Sequence, residues 1–404
     1  MRQTDIAIVG GGLAGSTAAA MLARAGFGTA LVDPHAVYPP DLRCEKLDGP
    51  QVSILRRTGI ADAVLRAGTF DEECWIARFG HVIEKRPGDQ YGILYDTLVN
   101  TVRAEIPAGA AFIHAKATAV ATSADRQVIT LSNGEDICAR LIVLANGLNI
   151  GLRHTLGMTR EMVSPCHSIT LAFNLKPAGR RGFAFPALTY YGERTVHRVA
   201  YITLFPIGAA MRANFMVYRD MQDPWLSEMR HRPVEAMHAV MPGLRRLIGD
   251  YEVEGPVKIR PADLYVTSGH LQPGVVLVGD AFATSCPAAG TGTNKVFTDV
   301  ERLCNVHIPQ WLATGGMDAG KIATFYDDPV KRACDAHSTH KAFNLRSISI
   351  DDGWQWQMRR WSRFMGRLGV GAVRQARARL AARPAEQPAA ASEGRRAPVS
   401  PFRS

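Results

Sequence analysis

Ile6-Ala7-Ile8-Val9-Gly10-Gly11-Gly12-Leu13-Ala14-Gly15 is the stretch whose reading decides the fold. Its first four residues form a short apolar run, which suits a strand buried on both faces. Ser16 to Ala25 is Ala-rich, with Met21 and Leu22, and reads as a helix. Gly26 and Gly28 punctuate it, and Thr29-Ala30-Leu31-Val32 predicts a second strand that ends at Asp33. The spacing Gly10-x-Gly12-x-x-Gly15 has a physical reason. Gly10 permits a tight turn, Gly12 lets a pyrophosphate approach the backbone, and Gly15 lets the helix pack close to the strand. Leu13 and Ala14 open the helix, whose free N–H groups and partial positive charge face the phosphates. Asp33 stands where an acidic side chain accepts hydrogen bonds from a ribose. Together these features predict dinucleotide binding.

A second glycine site lies far downstream. Gly274-Val275-Val276-Leu277-Val278 reads as another buried strand and runs into Gly279-Asp280, then Pro287, then Gly290-Thr291-Gly292-Thr293-Asn294. A helix follows, with Val296, Val300, Leu303 and Cys304 at helical spacing. This arrangement resembles the second FAD motif of the group A FAD-dependent monooxygenases. These form the para-hydroxybenzoate hydroxylase-like superfamily, which also contains geranylgeranyl reductases and flavin-dependent halogenases. An Asp at a strand end suits a ribityl hydroxyl, and Gly290 and Gly292 let backbone N–H groups approach a flavin edge. The helix dipole then favours the charge that develops on flavin reduction. Two glycine sites fit one long cofactor, FAD, better than two nucleotides.

The resemblance covers about residues 5–305 and adds further elements. Arg43 matches the family's Arg near flavin and pyrophosphate. Leu141-Ile142-Val143-Leu144-Ala145-Asn146-Gly147 with Arg153 takes the place of a strand ending in Asp-Gly. Asn146 replaces the Asp there, and Phe282-Ala283 stands where hydroxylases often carry Ala-His. Tyr201-Ile202-Thr203-Leu204-Phe205-Pro206 is similar to a Tyr-x-Trp-x-Phe-Pro stretch of the reductases, with Thr203 in place of Trp. Tyr201, Phe205, Pro206 and Arg212 are the candidate substrate contacts; Phe183, Phe185, Tyr190 and Tyr191 either join them or fill a core. Trp354-Gln355-Trp356 is similar to a halogenase signature but lacks its Ile-Pro and lies on the wrong side of the second FAD site.

The implied architecture is α/β: a Rossmann-like FAD-binding domain, an inserted, mostly antiparallel β-sheet substrate domain, and a C-terminal helical segment. Residues 1–75 begin the FAD domain and 271–345 complete it with the flavin-side motif and helix. Residues 76–270 are mixed, with nucleotide-domain elements at about 95–155 and the substrate sheet at about 76–94 and 156–270. Residues 346–380 are expected to form an amphipathic basic helix and 381–404 a disordered tail rich in Ala, Pro, Ser and Arg.

Composition removes several other classes. No apolar stretch reaches the ~18 residues of a membrane span, and nothing at the N-terminus resembles a signal peptide. The seven cysteines are scattered without a CxxC pair, so neither a metal site nor a disulfide framework is indicated and a reducing cytoplasm is expected. The formal net charge is +10, but residues 353–404 carry 11 Arg and only Glu386 and Glu393 as acids. The rest of the chain is nearly neutral, so the charge does not imply nucleic acid. Trp354, Met358, Trp361, Met365 and Leu368 recur at steps of four and three, with Arg359, Arg360, Arg363 and Arg367 on other faces. Such a helix either packs on the protein's own body, the preferred reading, or lies on an anionic membrane surface.

The resemblance implies an FAD-dependent monooxygenase. It would hydroxylate or epoxidise an electron-rich small molecule, aromatic or polyunsaturated, with O2 through a flavin C4a-hydroperoxide. NADPH or NADH is the expected donor, or reduced flavin from a partner reductase. No catalytic side chain is identified, and the oligomeric state stays open. An FAD-dependent reductase of prenyl or other unsaturated lipids is the alternative. A flavin-binding protein without turnover, docked on a membrane or partner, is a third.

Overall fold

A computed structural model describes residues 1–179 and 181–381, the last eleven of these by backbone alone. The tail expected at 381–404 therefore falls, from residue 382, outside the described residues.

The glycine-rich turn forms between β1 (Arg2–Val9) and α1 (Leu13–Arg24), and β2 (Thr29–Asp33) returns beside β1 in parallel. Ile6 to Val9 and all of β2 are buried, as a strand covered on both faces requires. α2 (Gly49–Arg57) starts at Asp48, which closes a capping box with Gln51. The chain then leaves this layer for the hairpin of β3 (Glu73–Arg78) and β4 (His81–Pro87). It comes back through α3 (Tyr95–Ala104), β5 (Ala111–His114), β6 (Ala117–Ala121), β7 (Gln127–Leu131) and β8 (Asp136–Leu144).

A second excursion is longer. β9 (Thr159–Pro177), β10 (Ala187–Tyr191), β11 (Val199–Ile207) and β12 (Ala210–Val217) lead to three short helices between 224 and 248, then to β13 (Tyr251–Ser268). The chain re-enters the first layer at β14 (Val275–Leu277), followed by α4 (Gly292–Arg302), α5 (Pro329–Ile350) and α6 (Trp354–Ala381).

Two seven-stranded sheets result. The nucleotide sheet runs β5-β2-β1-β8-β7-β6, and the far edge of β8 is shared. Its residues 136–139 pair antiparallel with β7, while Ile142–Leu144 pair parallel with β14. The second sheet runs β13-β9-β12-β11-β10-β3-β4 and is antiparallel except where β10 meets β3. Alternation along its strands separates two faces. Ile169, Leu171, Phe173, Ile202 and Leu204 pack on Trp225, Met229, Met237 and Leu244 of the short helices. Tyr201, Thr203, Thr170 and Asn214 point the other way and line a cavity.

The segment expected as one helix over 346–380 is instead the end of α5 and all but the last residue of α6, separated at Asp351–Gly353. Arg360 of α6 donates to the carbonyls of Ile348 and Asp351, which bonds α6 back onto the end of α5. Among the described residues no helix is long and apolar enough to cross a membrane, and no cluster of three or more His, Cys, Asp or Glu is arranged to hold a metal.

Candidate active site

The two glycine sites meet in space. A Cβ added to Gly279 would stand 3.6 Å from the Ala14 Cβ, so the turn after β14 rests on the first turn of α1. Gly10 has φ +105°, and a Cβ on it would strike the Ala145 carbonyl oxygen at 2.6 Å. A Cβ on Gly15 would come within 1.9 Å of the Gly10 oxygen, so the helix can approach its strand only as glycine. Gly12 differs: its nearest neighbours would be Tyr38 and Tyr95 at 3.9 Å, which leaves room for a ligand against the backbone. This cradle fits the diphosphate of FAD.

Asp33 is buried at the end of β2 and accepts the Gly11 N–H at 2.6 Å. Arg103 of α3 lies 3.2 Å from Asp33 and donates to the Gly11 carbonyl at 2.6 Å. The glycine turn is thus clamped by a residue that the local sequence pattern does not announce. On the flavin side, Arg43 donates to Asp280 at 2.8 Å and to Asp41 at 2.6 Å. Burial works against the Arg43 charge, but Tyr95, Asp280 and Asp41 outweigh it and keep the guanidinium protonated. Arg260 of β13 shares Asp41, which ties this loop to the second sheet.

Behind the Gly279–Asp280 turn sits a buried ion cluster. Asp299 of α4 accepts the Gly279 N–H at 3.0 Å and pairs with Lys331 of α5 at 2.9 Å. Lys331 also reaches Asp335, which pairs with Lys295. Thr291 turns its hydroxyl away from the cavity, onto Ser338 of α5 at 2.7 Å. Gln51 of α2 donates to the Gly290 carbonyl at 3.0 Å, where φ is +64°. The Ser285 hydroxyl and the Asn294 Oδ1 are buried with no partner among the described residues, as expected of groups that face a cofactor. Asn146, beside Gly10, is in the same condition with both side-chain atoms.

Arg153 is 1% exposed and forms no ion pair among the described residues. It donates to Gly147 at 3.0 Å, Asn149 at 2.9 Å and Thr267 at 3.1 Å, and also to the Ala281 carbonyl. One guanidinium therefore joins the loop after β8 to the loop after β14.

One cavity of about 1100 Å³ runs from these loops to the second sheet. Leu13, Arg43, Asp280, Pro287, Gly290 and Gly292 lie along one side. Across it stands a cross-strand ladder, Tyr191 opposite Tyr201 and Thr189 opposite Thr203, continued by Asn214 and Met216 of β12. The Tyr201 hydroxyl donates to the Ala288 carbonyl, bridging the sheet to the flavin-side loop.

The other three candidate substrate contacts stand elsewhere. Phe205 is 1% exposed beside Cys74, Ile76 and Ala187 of the same sheet, and Lys46 and Gly92 close over its ring. Pro206 is not part of the cavity wall, and its carbonyl closes on Gly92. Arg212 makes a two-point pair with Glu45, at 2.7 and 2.8 Å, and is spent on structure. Of the other aromatics, Phe185 and Tyr190 are core and Phe183 packs against it. Tyr191 faces the cavity.

α6 lies against the body, but not by its apolar stripe. Arg360, Arg363, Phe364 and Arg367 line the cavity, with Phe364 edge-on to Phe79 at 6.0 Å and Arg367 above Tyr191 at 4.8 Å. The stripe faces outward.

Comparison with known proteins places this geometry. The profile of a family described as an FAD binding domain matches residues 3–306. The 3-demethoxyubiquinol 3-hydroxylase of Escherichia coli strain K12 is 27% identical over 325 residues, covering 75% of this chain and 79% of that one. A 3-amino-4-hydroxybenzoate 2-monooxygenase of Streptomyces platensis is 25% identical over 342 residues, covering 80% and 83%. The crystal structure of p-nitrophenol 4-monooxygenase from Pseudomonas putida DLL-E4 superposes with a TM-score of 0.72 at 15% identity, over 92% of this chain and 95% of that one. With the two glycine sites in contact and a family match that spans three quarters of the sequence, the chain belongs to the FAD binding domain family, as an FAD-dependent oxidoreductase of the group A monooxygenase superfamily.

Proposed function

We propose that the protein hydroxylates an electron-rich aromatic small molecule held between the flavin-side loop and the Tyr191/Tyr201 ladder. The observation that carries this reading is the shared cavity, where Pro287, Gly290 and Gly292 face Tyr201, Thr203 and Asn214. The relatives named above act on phenols and aminophenols by their names, which supports an aromatic substrate. When bound, FAD supplies the two-electron chemistry and the activation of O2.

The chain's own residues bind, orient and exclude water. Gly12 would receive the diphosphate, Gly10 and Gly15 allow the turn and the close helix that make the cradle, Leu13 and Ala14 open that helix, and Asp33 would stand at the ribose. Arg43 and Asp280 would hold the ribityl chain, and Gly290 to Asn294 would present α4 to the flavin edge. Desolvation raises the Tyr201 phenol well above its ordinary value, so it stays a neutral donor. In this reading NADPH or NADH reduces the flavin, in the reducing cytoplasm that seven free cysteines suit.

Anaerobic mixing of the yellow holoenzyme with NADH and with NADPH tests the donor. Bleaching of the flavin band identifies it, and bleaching only with an added flavin reductase assigns the partner route. Admitting O2 with a candidate phenol should then give hydroxylated product in step with O2 consumed. Turnover that persists without O2, with loss of a substrate double bond, would refute the monooxygenase reading in favour of a reductase.

A further inference from the structure

The exposed face of α6 is the least explained surface of the molecule. Trp354, Met358, Trp361 and Met365 are 72, 64, 58 and 61% exposed, and Leu368 continues the row. A core-facing helix would bury these residues. At about 100° per residue the stripe lies roughly opposite Arg360, Arg363, Phe364 and Arg367, which face the body and the cavity. The helix is therefore held by its basic side and offers its apolar side to the surroundings.

Two occupants fit an apolar row at steps of four and three, and charge separates them. The same spacing makes a coiled-coil seam. A second copy, however, would set the seven arginines of residues 353–381 against seven more, with no Asp or Glu in that span to pair them. Like charges along such a seam oppose association. An anionic phospholipid surface accepts both features: Trp and Met enter the headgroup boundary, and the arginine-rich, acid-free helix that carries them is drawn to the lipid phosphates.

We propose that α6 seats the enzyme on an anionic phospholipid bilayer, with the mouth of the active-site cavity beside the headgroups. Arg363 and Arg367 line that mouth, within a helix diameter, about 10–12 Å, of the inserted row. A lipophilic ligand leaving the bilayer would pass them and Phe364 to reach the cavity. The proposal stands whether or not hydroxylation is the reaction.

The test uses the full-length holoenzyme and vesicles of phosphatidylcholine, alone or mixed with phosphatidylglycerol. Co-sedimentation is expected with the mixed vesicles only, and weakens as salt is raised. Met358→Glu with Met365→Glu should lower that affinity about tenfold or more, while Met358→Leu with Met365→Leu retains it. The flavin spectrum and turnover of a soluble substrate should stay unchanged in both, which separates loss of docking from loss of the enzyme. Equal binding to both lipid compositions, no binding to either, or a glutamate variant that binds as the parent does would overturn the proposal. So would a dimer in solution that the glutamates dissociate and that shows no affinity for vesicles, since the row would then belong to a second copy.

Discussion

Replacing Arg153 by methionine removes the one side chain that joins the loops on either side of the flavin site. The expected cost follows from its partners. Ala281 keeps a donor in the Thr267 hydroxyl at 2.8 Å, and Asn149 is exposed, so water takes up that carbonyl. Gly147 loses its only described donor, Thr267 loses a partner, and the two loops lose their common tie. Gly147 is half-buried, so its unsatisfied carbonyl costs toward the low end of about 1–3 kcal/mol. Against this, burial already lowers the Arg153 pKa, so deleting the charge returns part of its desolvation cost. The balance is about 1–2 kcal/mol of holoenzyme stability, read as a lower urea midpoint at unchanged slope. Weakening of FAD binding by about tenfold, or 1.4 kcal/mol, should accompany it in a fluorescence titration of apoprotein. Arg153→Lys keeps the charge but has no fork to span both loops, so it should fall close to the methionine variant. If Arg153→Met unfolds at the parent's midpoint and binds FAD as tightly, the clamp is not a clamp. If lysine rescues fully, charge rather than geometry is what the site requires.

Three further outcomes are expected. Gly15→Ala puts a methyl 1.9 Å from the Gly10 oxygen, so α1 must back away from β1; overpacking of about 3 kcal/mol should cost at least a hundredfold in FAD affinity, and a purified protein that retains full flavin would contradict it. Asp328 caps α5. Burial alone would raise its pKa, but Arg302, the Lys331 N–H and His307 outweigh that and bring it from 3.8 to about 2. Its folded value lies below its unfolded one, so its stabilisation is complete above about pH 4 and is lost as pH falls through 2. Asp328→Asn should therefore be about 2 kcal/mol less stable at neutral pH and show a flatter acid limb in urea midpoints against pH. Tyr201→Phe loses the bond to Ala288 and about 0.5–1.5 kcal/mol, yet should leave the neutral-range pH–rate profile where it was; a break that disappears with the hydroxyl would show the phenol acting as a base.

What the sequence disclosed was what is local or motif-bound. The β1–turn–α1 unit is readable because each glycine has a steric reason within ten residues. Gly279, Asp280 and Gly290–Gly292 are readable because the turn and helix that carry them are contiguous. Arg103, Gln51 and the Asp299–Lys331 pair escaped because their partners are set by packing across the fold, and an Arg on a surface helix looks like any other. The candidate substrate strand shows how pattern misleads: Tyr201, Thr203 and Phe205 share a face by period two, but Lys46 and Gly92, from distant segments of the chain, close that face at Phe205. In α6 the apolar row was legible and its direction was not, since the rule that apolar sides turn inward fails when arginines hold the inner side.

The order of elements along the chain also sets a clock. β8 ends at Leu144, while β14, which completes its far edge and carries the flavin-side turn, begins only at Val275. At ribosomal speeds of about 5–20 residues per second, those intervening residues take roughly 7–26 s to emerge. Through that interval the nascent chain holds a finished diphosphate turn with an open strand edge, and no complete pocket in which cofactor binding could stabilise it. FAD thus arrives as the last stabilising influence rather than the first.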